Sequence, residues 1–289
     1  MALPELPLDR WTEQAVGWIG ATFGGFLDGI GRAVQTLING VTELLLLLPW
    51  PVMLLLAVAA AWRVAGRGLA LFSGLALLVV VSLQLWQEAM GTLALVLTSS
   101  LLAVGLGVPL GILAARHDVV DQVSRPLLDM MQTMPSFVYL IPTLMFFGIG
   151  PAPAALATVI FAMAPAVRLT NLGIRSVPED VVEAAIAFGA TSRQVLVKVQ
   201  MPMALPSIMT GINQTLMLSL SMAVIAAMIG AGGLGAVVFR SITRVEVGPG
   251  FEAGLAIVLL AILLDRLSQN LARPSKGPER VAPRAPEPA

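Results

Sequence analysis

The sequence predicts an all-α integral membrane protein with about seven transmembrane helices. Hydrophobic residues make up 57% of the 289 residues and charged residues only 12%, about half the charged share of a typical soluble domain. Seven apolar stretches come close to the roughly 20 residues that a membrane-spanning helix needs. None shows the two-residue alternation of a membrane β-barrel, so we expect each stretch to be helical.

The seven stretches divide the chain into a peripheral pair and a core. We predict two peripheral transmembrane helices in residues 44–88 and a core membrane domain in residues 89–271, which contains a long loop at 178–202. The predicted spans cover approximately residues 44–62, 68–86, 89–115, 131–150, 152–167, 207–230 and 252–267.

Two segments flank these spans. Residues 1–43 form an extracytoplasmic amphipathic segment in which Trp11, Trp18 and Phe26 share one helical stripe and acidic residues lie opposite. This pattern is typical of a helix in the outer membrane interface, and a helix packed against the bundle explains it equally well. Residues 272–289 are rich in proline and charge, which predicts a disordered tail.

The positions of lysine and arginine predict the orientation, because cytoplasmic loops are enriched in both residues. With the N-terminus outside, 13 of the 17 basic residues fall on the inner side of the membrane. The C-terminus is then cytoplasmic, as is the loop between the fifth and sixth spans. The four basic residues on the outer side are Arg10, Arg32, Arg240 and Arg244.

Several functions are excluded by what the sequence lacks. The formal net charge is zero, so no basic field would attract nucleic acid. Cysteine is absent, and we expect neither a cofactor nor a metal site. Neither lysine, Lys198 or Lys276, follows a glycine, so no phosphate-binding Walker loop is present. The third to seventh spans hold few ionisable residues, which argues against an ion-coupled carrier. Active transport would therefore take its energy from another chain.

The predicted cytoplasmic loop has a strong helical pattern. Pro178 and the acidic residues after it are typical of a helix start. Gly189 interrupts the pattern, and Thr191 or Ser192 can cap a second helix. The sequence therefore predicts two short helices, tied at both ends to membrane helices, in a position suited to contacting another protein.

The same loop resembles a known motif, the EAA motif of binding-protein-dependent ABC importer permeases. In that family the pattern ends in Ile-x-Leu-Pro, and the two departures here, Val for Ile and Met for Leu, are conservative. The resemblance implies that Glu183, Ala184, Ala185, Gly189 and Pro202 couple the permease to its ATPase. The matching residues are Glu183-Ala184-Ala185, Gly189 after three more residues, and Val199-x-Met201-Pro202 after a further nine.

Other stretches within residues 85–270 look like the quaternary-ammonium branch of that family. They are QTMPSFVYLIP at 132–142, FGIG at 147–150, RLTNLGI at 168–174, GINQTLM at 211–217 and LSLSM at 218–222.

This resemblance implies the type I ABC importer permease fold in a bacterial cell (inner) membrane and the import of glycine betaine, proline betaine or choline. The implied partners are a cytoplasmic ABC ATPase, a periplasmic or tethered substrate-binding protein, a second permease copy and membrane lipid. The chain itself would not be an enzyme. Two alternatives stay open: import of another solute, such as trimethylamine N-oxide or methionine, and a stand-alone secondary carrier.

Six polar residues of the fourth and sixth predicted spans are candidates for the translocation path. Polar groups at membrane depth face other helices or a water-filled path rather than lipid. Hydrogen bonding between helices explains any single one of them equally well. The candidates are Gln132, Tyr139, Asn213, Gln214, Ser219 and Ser221.

Three further features are interpreted structurally. Gly107 and Gly111 form a small-xxx-small pattern, which predicts packing within the chain, with a dimer contact as the alternative. Gly230-Ala-Gly232-Gly-Leu-Gly235 has the glycine spacing of a dinucleotide site but follows a membrane helix instead of a strand, so we expect a tight turn there. His117, the only histidine, is expected on an exposed loop.

Overall fold

The computed structural model describes residues 8–272, and within that range the chain contains helices and turns but no strand. The predicted all-α class is confirmed. The α-helices are α1 Leu8–Leu47, α2 Trp50–Ala65, α3 Arg67–Ser82, α4 Trp86–Arg116, α5 Asp118–Thr133, α6 Leu140–Phe147, α7 Pro151–Arg175, α8 Glu179–Ala187, α9 Ser192–Val195, α10 Met201–Ala226, α11 Gly233–Arg244 and α12 Val247–Ala272. Short 3₁₀ helices at Ser136–Tyr139 and Ala227–Ile229 and a π-helix at Leu196–Gln200 complete the described chain.

The number of spans differs from the expectation. Within the described residues, four helices are long and apolar enough to cross a membrane alone: α4, α7, the continuous run 192–229 and α12. Two bent pairs, α1 with α2 and α5 with residues 136–147, bring the number to six if each pair counts as one span. Helix α3 has 16 residues and is about 24 Å long. The exact number of seven is therefore not confirmed.

The first predicted span, 44–62, is not one straight helix. Helix α1 continues to Leu47, and the chain then bends by 97° into α2. Pro49 lacks an N–H and disfavours the α conformation in the residue before it, so it ends α1. Pro51 lies in the first turn of α2, where no N–H is required.

The fourth predicted span, 131–150, is also divided. Helix α5 ends at Thr133, and the direction changes by 111° before the chain continues through Ser136–Tyr139 into α6. Pro135 lies at the bend and cannot donate a backbone hydrogen bond. Pro142 lies in the first turn of α6 and leaves that helix intact, so only one of the two prolines divides the span.

Helix α7 packs between α4 and α10 at the centre of the molecule. A Cβ atom on Gly107 would lie 2.9 Å from the Cβ of Ala166, and one on Gly111 would lie 2.6 Å from the carbonyl oxygen of Val167. Only glycine permits this approach of α4 to α7. The structure therefore favours packing within the chain over a dimer contact at both glycines.

The N-terminal helix α1 has two unlike halves. Val34 and Ile38 are buried in the core that α1 shares with α4 and α7. Trp11, Trp18 and Phe26 are exposed in the first half. The second half thus packs on the bundle, as one alternative predicted, while a membrane-interface position for the first half stays a prediction. Residues 1–7, and the predicted tail beyond residue 272, lie outside the described residues.

The glycine-rich turn at 230–235 joins α10 to α11. Gly233 has a φ of +66° and lies against α4, where the N–H of Leu234 donates to the hydroxyl of Thr92 at 2.8 Å. This turn positions α11 beside α4, so the structure gives the motif a packing role, as expected.

Candidate coupling site and polar residues of the spans

The EAA segment, residues 178–202, forms the predicted helix, turn and second helix, but only the first helix is short, because α9 continues through the π-helix into α10 as the run 192–229. Helix α8 begins after Pro178 with two acidic residues in its first turn, where the helix dipole favours negative charge. Gly189 adopts a φ of +84° and allows the chain to turn. The Thr191 hydroxyl accepts from the N–H of Gln194 at 3.4 Å, and the Gln194 side chain accepts from the N–H of Thr191 at 2.8 Å. This capping box fixes the start of α9.

The exposed residues of α8 and of the turn that follows it include motif residues and large apolar side chains. Glu183 and Ala184 are exposed, and Ala185 is half-buried. Phe188 is 93% exposed and Ile186 is 56% exposed. Large apolar side chains exposed this fully, on a loop predicted to lie outside the membrane, indicate a protein contact surface.

An open cleft of about 370 Å³ lies between α8 and the bundle. Val182 and Ile186 line it from α8, while Ala115 and Ile174 line it from the ends of α4 and α7. Helix α8 therefore stands away from the bundle along this side, and it contacts α9 and the π-helix instead.

Pro202, the last residue of the motif, follows a widened helical turn. In the π-helix Leu196–Gln200 the hydrogen bonds span five residues, and the N–H of Met201 donates to the carbonyl of Leu196. Pro202 has no N–H, so the regular α-helical bond at this position cannot form. Widened turns of this kind are frequent at functional sites. No pattern in the sequence predicted this widened turn.

A cluster of charged and polar side chains holds the last turn of α7, three residues before α8 begins. The side chain of Asp121 is only 7% exposed, and its oxygens lie 2.7 Å from Nη2 of Arg125 and 2.7 Å from Nδ2 of Asn171. Arg175 donates to Asp118 and to the carbonyl of Ala114, both at 2.8 Å. No pattern in the sequence predicted this cluster, which we call the ionic anchor: Asp118, Asp121, Arg125, Asn171 and Arg175.

A second ion pair joins the same two helices outside the ionic anchor. Arg168 of α7 donates to the carboxylate of Asp129 in α5. Their side chains are 39% and 66% exposed. Exposed ion pairs contribute little to stability, typically about 0–1 kcal/mol. We therefore expect the pair of Arg168 and Asp129 to contribute less to the stability of the permease than the buried carboxylate of Asp121.

Two of the six candidate path residues are buried. The hydroxyl of Tyr139 donates to the carbonyl of Met131, and its ring packs against Phe161 with the ring centroids 5.8 Å apart. Ser219 donates to the carbonyl of Thr215 at 2.9 Å. Both hydroxyls are satisfied within the chain.

Asn213 is bound to a neighbouring helix. Its Nδ2 donates to the carboxylate of Asp265 at 3.1 Å, and its Oδ1 accepts from the hydroxyl of Ser268. Hydrogen bonding between α10 and α12 therefore accounts for this residue, as the alternative interpretation allowed. A role of the six residues in a path stays a prediction. The three that remain, all exposed, are Gln132, Gln214 and Ser221.

The family of the chain follows from its sequence. Residues 107–275 match the family model described as binding-protein-dependent transport system inner membrane component. This region exceeds half of the chain and includes the whole EAA segment. The chain belongs to this family. It is accordingly a permease, the membrane component of such a transport system.

Three relatives resemble this permease over nearly its whole length. The glycine betaine transport system permease protein OpuAB of Bacillus subtilis (strain 168) is 48% identical, over 93% of this chain and 95% of its own. The glycine betaine/proline betaine transport system permease protein ProW of Escherichia coli (strain K12) is 46% identical, over 94% of this chain and 77% of its own. The glycine betaine/carnitine transport permease protein GbuB of Listeria monocytogenes serotype 1/2a (strain 10403S) is 47% identical, over 95% and 98%.

A solved structure resembles the permease in fold. A chain of the MetNI methionine ABC transporter, in an inward-facing conformation, aligns with a TM-score of 0.59 at 22% identity, covering 65% of this permease and 94% of that chain. The predicted type I ABC importer permease fold is confirmed.

Proposed function

We propose that this permease imports quaternary ammonium osmolytes, with glycine betaine as the main substrate and proline betaine or choline as further ones. The observation that carries the proposal is the similarity to three glycine betaine permeases, each over more than nine tenths of this chain. ATP would be hydrolysed by a separate cytoplasmic subunit, and the permease would convert that subunit's closure into alternating access.

The EAA segment is the proposed docking site for the ATPase. Phe188 and Ile186 are apolar and strongly exposed, and burial of one such side chain stabilises a complex by about 1.5–3 kcal/mol. The capping box at Thr191 and the turn at Gly189 hold this surface in a defined shape. Glu183, Ala184, Ala185, Gly189 and Pro202 are the proposed coupling residues.

The remaining partners lie on other surfaces in this proposal. A substrate-binding protein delivers the osmolyte on the outer face, and a second permease copy completes the path within the bacterial inner membrane. The bias of basic residues supports an outer N-terminus and a cytoplasmic C-terminus. Gln132, Tyr139, Asn213, Gln214, Ser219 and Ser221 are proposed path residues.

Reconstitution tests the proposed function directly. The permease, its ATPase and its binding protein are incorporated into liposomes, and uptake of radiolabelled glycine betaine is measured with and without ATP. We expect uptake only when all three proteins and ATP are present. Proline betaine, choline, trimethylamine N-oxide and methionine are tested as competitors. Rapid flux without the ATPase would instead indicate a secondary carrier, and competition by methionine alone would refute the proposed substrate class.

The absence of cysteine makes orientation easy to test. Single cysteines at Phe188 and Ile149 report on the EAA segment and on the loop between α6 and α7, and both native side chains are strongly exposed. A membrane-impermeant maleimide added to intact spheroplasts should label Ile149→Cys but not Phe188→Cys. The reverse pattern would contradict the proposed orientation.

A further inference from the structure

The ionic anchor contains a buried charge with no role in the motif. Asp121 accepts hydrogen bonds from Arg125 and Asn171, and Arg175 lies 3.8 Å from its second oxygen. The side chain of Asp121 is largely buried, and it reaches α7 through Asn171 and Arg175. Loss of a buried, hydrogen-bonded carboxylate costs more than loss of an exposed one, so we expect Asp121 to matter more to the contact between α5 and α7 than the exposed Asp129.

The ionic anchor joins three helix ends. Arg175 is the last residue of α7, and it donates both to Asp118 at the start of α5 and to the carbonyl of Ala114 in the last turn of α4. Carbonyls in the last turn of a helix have no partner within that helix, so Arg175 also satisfies an otherwise unpaired group. The side chain of Arg175 thus fixes the end of α7 relative to the end of α4 and the start of α5.

The chain between the ionic anchor and α8 is short and constrained. Only residues 176–178 separate the two helices. The Ser176 hydroxyl donates to the carbonyl of Gly173 at 3.1 Å, Val177 is buried, and Pro178 has a fixed φ. A displacement of α8 therefore also displaces Arg175, because the three connecting residues have little conformational freedom.

Helix α5 continues from the ionic anchor to the divided span. Its last turn holds Gln132, and the Tyr139 hydroxyl beyond the bend donates to the carbonyl of Met131 in α5. Movement of α5 at the ionic anchor is thus passed to both sides of the bend at Pro135, where two proposed path residues lie.

We propose that Asp121 is a positioning residue for transport: through Asn171 and Arg175 it makes α5 follow the end of α7 when the ATPase moves α8. The proposal rests on the proposed function, because it assigns a route for the force that the EAA segment receives. It identifies a residue outside the motif whose loss uncouples ATP hydrolysis from transport.

The test compares the buried charge with the exposed pair that joins the same helices. Asp121→Asn keeps the shape of the side chain but removes its charge, and Asp129→Asn makes the same change at an exposed site. Each variant is reconstituted with ATPase and binding protein, and the ratio of glycine betaine taken up to ATP hydrolysed is measured. A coupling between sites typically amounts to 5- to 150-fold. We expect about a tenfold fall for Asp121→Asn and less than a twofold change for Asp129→Asn.

The ratio separates a positioning role from a structural one. A purely structural loss lowers the yield of assembled complex but leaves uptake per ATP unchanged in the complexes that form, and that result would overturn the proposal. An equal fall in the Asp129→Asn variant would also overturn it. Should Asp121→Asn fail to assemble, Asn171→Ala removes two hydrogen bonds, one to the Asp121 carboxylate and one from the Arg175 guanidinium, and should lower the ratio about tenfold. An unchanged ratio there refutes the proposal.

The wild-type protein distinguishes this inference from the proposed function. If wild-type liposomes show no ATP-dependent uptake of glycine betaine, the proposed function fails and the variants are not needed. If they show it and the variants keep its stoichiometry, only the role of Asp121 fails.

Discussion

Replacement of Gly189 isolates the effect of the turn in the EAA segment. This glycine has a φ of +84°, and a Cβ atom placed on it would meet no atom within 4 Å. The methyl group of an alanine therefore causes no clash, and its whole effect is backbone strain. Left-handed backbone costs an L-residue about 1–2 kcal/mol, so the native turn becomes about 5- to 30-fold less populated relative to other turns.

The affinity for the ATPase should fall by the same factor, because only the native turn presents α8 and α9 together. We expect Gly189→Ala and Gly189→Leu to raise the Kd of the detergent-solubilised permease for its ATPase about 5- to 30-fold. Gly189→Asn should raise this Kd only about twofold, since asparagine tolerates this backbone region far better than most residues. Membrane insertion, measured by expression and gel filtration, should be unchanged in all three.

Gly66 supplies a matched control. It has a φ of +83° and also has no atom within 4 Å of a built Cβ, but it lies between α2 and α3. Gly66→Ala also introduces strain at a positive φ, but away from the EAA segment, and should leave the Kd unchanged. If Gly66→Ala weakened the complex as much as Gly189→Ala, or if Gly189→Leu bound with wild-type affinity, the role assigned to the turn would be wrong.

Three further outcomes are expected. Phe188→Ala should raise the Kd for the ATPase at least tenfold, from the lost burial of one aromatic side chain, whereas Ile149→Ala should not change it; equal Kd values would refute the docking surface. Gly111→Val should destabilise the permease by about 1–3 kcal/mol through overpacking against α7, seen as a lower Tm than for Gly105→Ala, which has open space around it; an unchanged Tm would contradict the packing. Deletion of residues 274–289 should leave ATP-dependent uptake within twofold of wild type, and a large loss would show a function for the tail.

The features predicted correctly from the sequence depend on local chemistry. Gly189 and Thr191 act within a few residues of themselves, so the turn and the capped helix could be derived from their residue types. The pattern of Gly107 and Gly111 likewise predicted packing within the chain, which the structure confirms as an approach to α7.

The features that were missed depend on direction or on distant partners. Apolar composition indicates how long a helical stretch is but not where the helix bends. The leucines before Pro49 were therefore assigned to the first span, although they belong to α1. Asp121 and Asn171 are 50 residues apart in the chain, and nothing in a single sequence pairs them. Arg175 contributed to the prediction only as a positive charge on the inner side, although its hydrogen bond to Asp118 is one of the contacts that hold α5 to α7.

The widened turn before Pro202 also determines which way the EAA segment faces. Leu196, Met201, Ala204 and Ile208 pack in one core cluster, and the first step in this series is five residues where an α-helix would need three or four. The widening of the turn accommodates the extra residue and brings Leu196 into phase with the others. If the same residues formed a regular α-helix instead, everything before them would be rotated by about 100° about the axis. The ATPase would then meet a different side of α8, so the helical phase of this turn is as much a part of the docking surface as the side chains that form it.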